Sequence, residues 1–202
     1  MKITHGGLAP RIHPTARIAP NAVVCGDVEI GANTSIGFGC VVTAESGPVR
    51  IGADCVVMDT AVLRGVRGAP LTIGDRVLVG PRAYLTGCRV EDEAFLATGV
   101  AVFNGARIGR GAEVRINGVV HIRTAVAPGA TVPIGWVAVG DPAEILPPDA
   151  HDRIWAIQKP LDFPRAVFGV ERPPEGETMM TAVMPRYARR LAAHRLDEVI
   201  EP

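Results

Sequence analysis

Aliphatic residues recur at every sixth position over most of the chain. The positions are Ile18, Val24, Ile30, Ile36, Val42, Ile51, Val57, Leu63, Ile73, Val79, Leu85, Val90, Leu96, Val102, Ile108, Val114, Val120, Val126 and Val132. A helix repeats its apolar positions every 3.6 residues and a half-buried strand every second residue, so neither explains a period of six. A hexapeptide period is typical of a parallel β-helix, in which three short strands complete one triangular turn. The pattern therefore predicts an all-β domain, which we place at residues 11–140.

The residues around these positions support the same prediction. Four residues after each aliphatic residue the side chain is usually small, as at Cys40 and Cys55, because a second inward position near a tight corner leaves little room. The spacing lengthens after Val42 and after Leu63, and it shortens by one residue after Leu85. We therefore expect the two longer segments to protrude from the coil as loops.

Residues 141–202 depart from the hexapeptide pattern. Residues 150–159 predict a short α-helix that packs against the coil and ends at Pro160. Residues 160–177 are rich in proline, which predicts an extended segment, yet they are too apolar for a free linker. We expect this segment to lie on the coil or on a neighbouring subunit.

The last part of the chain predicts an amphipathic helix from about residue 184 to 200. Tyr187, Leu191 and Val199 would share one face of it. If this tail docks on the coil, it could cap the interface cleft and so shape a ligand pocket. The alternative is a tail exposed to solvent.

Composition and charge exclude several classes of function. Basic and acidic side chains balance at 21 each, with no basic run, which argues against a nucleic-acid partner. No apolar stretch approaches the roughly 20 residues needed to span a bilayer, and the first residues do not have the features of a signal peptide. We therefore expect a cytoplasmic protein without a membrane partner. Cys40 and Cys55 are predicted to be reduced core residues, and no C-x-x-C pair is present.

Four segments resemble the γ-class carbonic anhydrases and their relatives among hexapeptide-repeat proteins. They are IHPTARIAPNAVVCGDVEIG, IGADCVVMDTAVLRG, PLTIGDRVLVGPRAYLTGC and VPIGWVAVGDPAEILP. The resemblance covers about residues 11–148. It implies a left-handed parallel β-helix, a C-terminal α-helix packed beside it, and a homotrimer. In that family three histidines bind zinc between subunits.

The resemblance implies that Arg64, Pro81 and Thr86 occupy the three zinc-ligand positions. Arginine offers no lone pair, proline has no donor atom, and a threonine hydroxyl is a poor ligand. No metal or other cofactor is therefore expected at this place. Arg64 and Thr86 follow the aliphatic residues of successive coils, so they should stack one strand spacing apart, roughly 4.8 Å.

An arginine in this position suits an anion. Arg64, with Arg82 beside the ligand position Pro81 and Asp59 below Pro81, could bind a carboxylate or phosphate of a small molecule between subunits. Further candidate ligand-binding residues are Tyr84, Glu45, Asn117 and Arg123, and the candidate catalytic residues are Arg64, Asp59, Thr86 and His121. A purely structural role, in which Arg64 pairs with Asp59 or Glu45 across the trimer interface, is the alternative.

Several functions remain open at this point, and the sequence does not decide whether the protein is an enzyme. One is a metal-free relative of the γ-carbonic anhydrases that binds or converts a small molecule. Another is an acyl-CoA-dependent acyltransferase with His121 as general base. A non-catalytic assembly subunit is the third, and carbonic anhydrase chemistry would return if other ligands, such as His121 or Cys88, held a metal. The histidines near the chain ends, His5 and His194 among them, are expected to form no ligand set.

Overall fold

The hexapeptides form short strands that wind into three parallel sheets. The computed structural model describes residues 1–174 and 176–201. In chain order the strands are β1 (Lys2–Thr4), β2 (Arg11–Ile12), β3 (Arg17–Ile18), β4 (Val23–Cys25), β5 (Val28–Ile30), β6 (Ser35–Ile36), β7 (Val41–Thr43), β8 (Val49–Ile51), β9 (Val56–Val57), β10 (Val62–Arg64), β11 (Leu71–Ile73), β12 (Leu78–Val79), β13 (Tyr84–Thr86), β14 (Arg89–Val90), β15 (Phe95–Leu96), β16 (Ala101–Val102), β17 (Arg107–Ile108), β18 (Glu113–Val114), β19 (Val119–Val120), β20 (Ala125–Val126), β21 (Thr131–Val132), β22 (Val137–Val139), β23 (Glu144–Leu146) and β24 (Glu198–Glu201).

Every third strand belongs to the same side of the coil. The first sheet contains β1, β4, β7, β10, β13, β16, β19 and β22, with β23 and β24 paired antiparallel at its two ends. The second sheet runs from β2 to β20 and the third from β3 to β21. The structure therefore confirms the parallel β-helix that the hexapeptide period predicts.

The interior of the coil is a stack of aliphatic side chains. Leu63 and Leu85 are fully buried, as are the small residues Cys40 and Ala61 at the second inward position. All four cysteines are free and buried, which confirms the prediction made for Cys40 and Cys55. Packing of this kind excludes water along the whole axis and holds each coil at a fixed height above the last.

The register of the first sheet sets the geometry of the candidate site. Arg64 in β10 pairs with Thr86 in β13 on one side and with Thr43 in β7 on the other. The predicted stacking of Arg64 and Thr86 is therefore confirmed. The lengthened segment after Leu63 does protrude: Val66 and Ala69 exchange backbone hydrogen bonds of 3.1 and 2.9 Å and form a small hairpin.

The chain enters the β-helix earlier than the hexapeptide pattern predicts. β1 pairs in parallel with β4, through Lys2 and Val24, although it precedes residue 11. A tight turn follows β1, in which Gly6 and Gly7 have φ values of 58° and 75° that glycine adopts without steric cost. His5 and Leu8 bond to each other across this turn.

The C-terminal part combines helices with one strand. The helices are α1 (His151–Gln158) and α2 (Met180–Leu191), and the shorter turns are a 3-10 turn (Lys159–Leu161), a π-helical turn (Pro164–Phe168) and a second 3-10 turn (Ala192–Leu196). The first predicted helix is confirmed. Within the described residues, no helix has both the length and the apolar composition that crossing a bilayer requires.

Two predictions for the tail are wrong. The segment expected to be extended contains the π-helical turn Pro164–Phe168, since a proline at the start of a helical turn costs no hydrogen bond. The last helix begins at Met180 and ends at Leu191, and Val199 lies in β24 instead of on the helix. Antiparallel pairing of β24 with the exposed edge of β1 replaces the last turns of the predicted helix.

Candidate functional site

A cavity of about 530 Å³ lies on the outer side of the first sheet. Its floor is formed by strands of that sheet, one wall by the hairpin at Val66–Ala69, and the opposite wall by the π-helical turn and α2. Five arginines line it: Arg64, Arg67, Arg123, Arg165 and Arg190. We call it the arginine cavity. The tail of the chain thus does shape a pocket, as the sequence allowed.

An ion pair between Arg64 and Glu45 lies at the floor of the cavity. Glu45 is almost fully enclosed, with 4% of its side chain exposed, whereas 23% of the Arg64 side chain is exposed. Arg64 also donates hydrogen bonds to the hydroxyls of Tyr84, at 3.4 Å, and Tyr187, at 3.2 Å. Burial lowers the pKa of Arg64, but these hydrogen bonds outweigh it and raise the pKa above its usual value. The guanidinium is therefore charged and held in place from three sides.

The cavity carries a strong excess of positive charge. Among the described residues, its five arginines face a single lining carboxylate, that of Glu45, which leaves an excess of four positive charges. In the described part of the chain, Arg67, Arg123, Arg165 and Arg190 form no ion pair. Arg190 lies over the ring of Tyr187, at 5.7 Å from its centroid. These four arginines are exposed. Clustered charge of one sign at a cleft raises the local concentration of anions.

Aromatic rings form the apolar part of the cavity wall. Tyr84 and Phe103 lie 6.1 Å apart on the sheet side, and Phe168 meets Tyr187 edge to face at 6.3 Å on the tail side. Thr86 is buried, and its hydroxyl donates to Oδ1 of Asn104 at 3.0 Å. The cavity can thus hold a molecule that combines an anionic group with an apolar body.

The structure divides the residues that sequence reasoning grouped around Arg64. Glu45, Tyr84, Thr86 and Arg123 do line the arginine cavity with Arg64. Asp59, Pro81, Arg82 and Asn117 do not, because they lie at corners that follow strands of the third sheet.

Asp59 and Arg82 have local structural roles instead. Oδ1 of Asp59 accepts the backbone N–H of Phe38 at 2.7 Å. The backbone N–H of Arg82 donates to the carbonyl of Asp59 at 3.1 Å, and the Arg82 side chain is exposed. Within one chain Arg82 therefore does not line the cavity with Arg64, and their cooperation between subunits stays a prediction.

His121 lies on the same sheet but outside the cavity lining. Its neighbours Ile122 and Arg123 contribute to the lining. Burial lowers the pKa of His121, and its Nδ1 atom is buried without a hydrogen-bond partner in the described part of the chain. His121 is thus a neutral imidazole at neutral pH.

The sequence analysis did not identify Arg67, Arg165 or Arg190 as residues of the cavity. It placed Tyr187 on a helix but did not identify it as part of the cavity wall. Arg67 was detectable in principle, because it lies at the tip of the loop that interrupts the period. Arg165 and Arg190 carry no periodic signal, and only the docking of the tail brings them to the sheet.

Arg64, Pro81 and Thr86 do not fit a zinc ion. The guanidinium of Arg64 is a donor already engaged with Glu45 and two tyrosines, and the Thr86 hydroxyl is engaged with Asn104. Pro81 has no side-chain donor atom. These three positions therefore offer a zinc ion no suitable ligand.

A second group of polar residues lies beyond the end of the cavity. His5 and His194 stack with their ring centroids 4.2 Å apart, and both contact the carboxylate of Asp197. The pairing of β24 with β1 brings these two histidines together from opposite ends of the chain, which the sequence did not predict. The expectation that they form no ligand set stays untested by these contacts.

Sequence profiles place the repeats among known families. The profile described as "Bacterial transferase hexapeptide (six repeats)" matches residues 9–44, and that described as "Hexapeptide repeat of succinyl-transferase" matches residues 70–104. The chain is a hexapeptide-repeat protein. Its repeats account for the parallel coil described above.

Relatives of this hexapeptide-repeat protein include γ-carbonic anhydrases. "Gamma carbonic anhydrase 1, mitochondrial" of Arabidopsis thaliana is 33% identical over 144 residues, which cover 68% of this chain and 50% of that protein. "Carnitine operon protein CaiE" of Escherichia coli is 31% identical over 103 residues, covering 51% of this chain and 53% of that protein. The chain thus spans about half the length of the curated relatives it matches.

Among solved structures, a "putative acetyltransferase" of Bacillus cereus is similar. It is 28% identical, with a TM-score of 0.55, and the alignment covers 78% of this chain and 90% of that one. The fold is therefore shared by proteins whose names point to different chemistries, so the site must decide the function.

Proposed function

We propose that this protein is a γ-carbonic anhydrase-like hexapeptide protein whose zinc site has been replaced by an arginine site for a small organic anion. One observation carries the proposal: among the described residues, the lining of the arginine cavity has an excess of four positive charges around a space of about 530 Å³. In this view Arg64, Pro81 and Thr86 stand where the relatives have zinc ligands. The protein would bind or convert its ligand without zinc.

The geometry around Arg64 supports recognition of a carboxylate or phosphate. Glu45, Tyr84 and Tyr187 fix the guanidinium, so little side-chain entropy is lost when a ligand binds. Arg123 and Arg190 provide further donors from the sheet and from the tail. Charge-assisted hydrogen bonds of this kind are stronger than neutral ones.

We further propose that the protein forms a homotrimer. Large apolar side chains, each between 36% and 66% exposed, lie on the third sheet or within two residues of the ends of its strands: Phe38, Val56, Met58, Phe95, Ile116 and Ile134. An exposed apolar stripe of this extent is typical of a protein interface. Light scattering coupled to size-exclusion chromatography tests this assembly. Its location in the cytoplasm likewise stays a prediction.

The binding proposal is tested by calorimetric titration of phosphate, succinate, citrate and acetyl-CoA. We expect at least one of these anions to bind saturably, and Arg123→Gln or Arg190→Gln to weaken it by roughly 10- to 100-fold, the loss of one charge-assisted hydrogen bond. Arg89→Gln is the matched control, because Arg89 is an exposed arginine of the second sheet. Equal affinity of all three variants and the wild type would contradict the proposal.

Acyl transfer is the second candidate function. The similarity to a solved putative acetyltransferase and the unpartnered Nδ1 of His121 favour it. A general base must hold a free lone pair near neutral pH, which the lowered pKa of His121 provides. Acetyl-CoA hydrolysis or transfer that is lost in His121→Ala but kept in His13→Ala would support this candidate, and activity retained in His121→Ala would exclude it.

A further inference from the structure

We propose that His5, His194 and Asp197, with Cys25 beside them, form a binding site for a zinc-like divalent cation, separate from the arginine cavity. Nδ1 of His5 lies 2.6 Å from Oδ1 of Asp197, and Nδ1 of His194 lies 2.6 Å from Oδ2 of the same carboxylate. Sγ of Cys25 lies 3.7 Å from that Oδ2 atom. One donor atom from each of His5, His194 and Asp197 falls within 4.8 Å of the others.

Regular elements bring these residues together. His5 directly follows β1, and Cys25 ends β4, the next strand of the first sheet. His194 lies in the second 3-10 turn, and Asp197 links this turn to β24, which pairs with β1. The site therefore joins the first coil of the β-helix to the end of the C-terminal tail. Only the docking of the tail completes it.

The hydrogen bonds of His5 define which of its nitrogens can bind a cation. Nε2 of His5 lies 3.1 Å from the backbone carbonyl of Glu45, and a carbonyl oxygen can only accept, so Nε2 must carry a proton. In a neutral imidazole Nδ1 then presents a lone pair, which would face a lone pair of the Asp197 carboxylate. Either a second proton or a metal ion must lie between them. Ligating histidines typically donate their other ring N–H to a backbone carbonyl in this way.

The two stacked rings present two nitrogen atoms to one carboxylate. The rings of His5 and His194 are 4.2 Å apart and inclined by 23°. Without a cation, His5 must carry one extra proton, whereas His194 can donate its Nδ1–H to Asp197 as a neutral imidazole. A single divalent cation would replace both of these protons and bind both rings as neutral ligands. The side chains of His5 and Asp197 are each 13% exposed and that of His194 is 33% exposed, so the cluster is half-buried with His194 on its solvent side.

The donor set matches the chemistry of zinc. Imidazole nitrogen, carboxylate oxygen and thiolate sulfur are its usual protein ligands, and two ligand atoms on a tetrahedral zinc lie about 3.3 Å apart. The observed separations require shifts of only about 1 Å to reach that value. With Asp197 and a Cys25 thiolate, two negative charges balance the dication. Burial, and next the charge of Asp197, raise the pKa of Cys25 to about 11, so zinc must displace the thiol proton to the solvent when it binds.

The proposed site would fasten the tail that forms one wall of the arginine cavity. Glu45 connects the two, since its carbonyl accepts from His5 while its carboxylate pairs with Arg64. Loss of the cation would loosen the tail and with it Tyr187. The metal would thus have a structural role at this end of the coil, independent of whether the arginine cavity binds an anion.

The test is metal analysis of the full chain, expressed with added zinc and purified without a chelator. We expect about one zinc per chain, less than a tenth of that in His5→Ala and His194→Ala, and full content in the matched controls His13→Ala and His121→Ala. His13 is a control because it is an exposed histidine that bonds only to Thr15 nearby. Less than one tenth of a zinc per wild-type chain would overturn the proposal, as would unchanged content in His5→Ala.

Two measurements guard against variants that lose metal by misfolding. Chelation and readdition of zinc to the wild type should shift Tm reversibly by about 5–10 °C, and no shift would refute the site. Cobalt substitution should give a thiolate charge-transfer band that Cys25→Ser removes while d–d absorption remains. A band that survives Cys25→Ser would exclude Cys25 as a ligand. None of these measurements depends on anion binding. Failure of the metal site can therefore be distinguished from failure of the anion-binding proposal.

Discussion

Replacing Arg64 by alanine should destabilise the ligand-free protein by about 2–4 kcal/mol. Removal of one partner from a buried ion pair typically costs about 3–5 kcal/mol, because the other charge stays buried without compensation. Here the uncompensated group is the Glu45 carboxylate, of which 4% is exposed. The estimate is reduced because the 23% exposure of Arg64 shows that water reaches one side of the pair.

A double-mutant cycle separates this effect from lost packing. The combined Glu45→Gln and Arg64→Ala protein should lose only about 1 kcal/mol, since no charge is left buried, so the coupling free energy should be about 2 kcal/mol. Urea unfolding at one fixed protein concentration measures the free energy of unfolding of the wild type, the two single variants and the double variant. Arg107→Ala is the matched control: its pair with Asp141 is more than half exposed on both sides and should contribute at most about 1 kcal/mol.

Either of two results would contradict the prediction that Arg64 compensates a buried Glu45 carboxylate. A cost below about 0.5 kcal/mol for Arg64→Ala would mean that Glu45 is not held as a buried anion. A cycle that is additive to within about 0.5 kcal/mol would mean that Arg64 and Glu45 are not coupled.

Three further predictions follow from the coil and its surface. Leu85→Ala should lower the free energy of unfolding, measured in urea, by about 3–4 kcal/mol, because the side chain is fully buried. Leu8 is exposed, so the control Leu8→Ala should stay within about 0.5 kcal/mol of wild type. At pH 8 the thiol of Cys88 should not react with a thiolate-specific reagent until the protein unfolds, since burial raises its pKa to about 12 and leaves almost no thiolate; rapid labelling of Cys88 in the native protein would contradict this. The pKa of Asp27 is lowered, chiefly by its hydrogen bond from Arg50. The contribution of Asp27 to the free energy of unfolding should therefore be complete above its unfolded pKa of about 3.9 and be lost as pH falls through its folded pKa. Asp27→Asn should remove this part of the loss of stability at acid pH, and an unchanged dependence on acid pH would contradict the prediction.

The parts of the fold that repeat were predictable, and the parts that meet only once were not. Three hexapeptides make one turn, so the spacing alone placed Arg64 beside Thr86, as the structure confirms. Asp59 and Glu45 came from the family resemblance, as alternative partners of Arg64 across a subunit interface. The structure pairs Arg64 with Glu45 within one chain and places Asp59 at a corner of the coil, outside the cavity lining.

The tail escaped sequence reasoning for a physical reason. Its position depends on contacts between residues almost a full chain length apart, such as His5 with Asp197. Amphipathicity correctly gave a helix that includes Tyr187, but it could not show that the backbone beyond Leu191 would find an unpaired strand edge. Such pairing is decided by which edges the rest of the fold leaves open.

The antiparallel strands at the two ends of the first sheet have a consequence for the solution behaviour of the protein. A coil of identical-looking turns offers its first and last strands as templates on which another molecule could continue the ladder. β23 occupies the template at one end, and β24 occupies it at the other. Because β24 belongs to the tail, any condition that detaches the tail would also uncover β1. The tail that forms one wall of the arginine cavity would then also, through β24, prevent end-to-end growth of the protein into filaments.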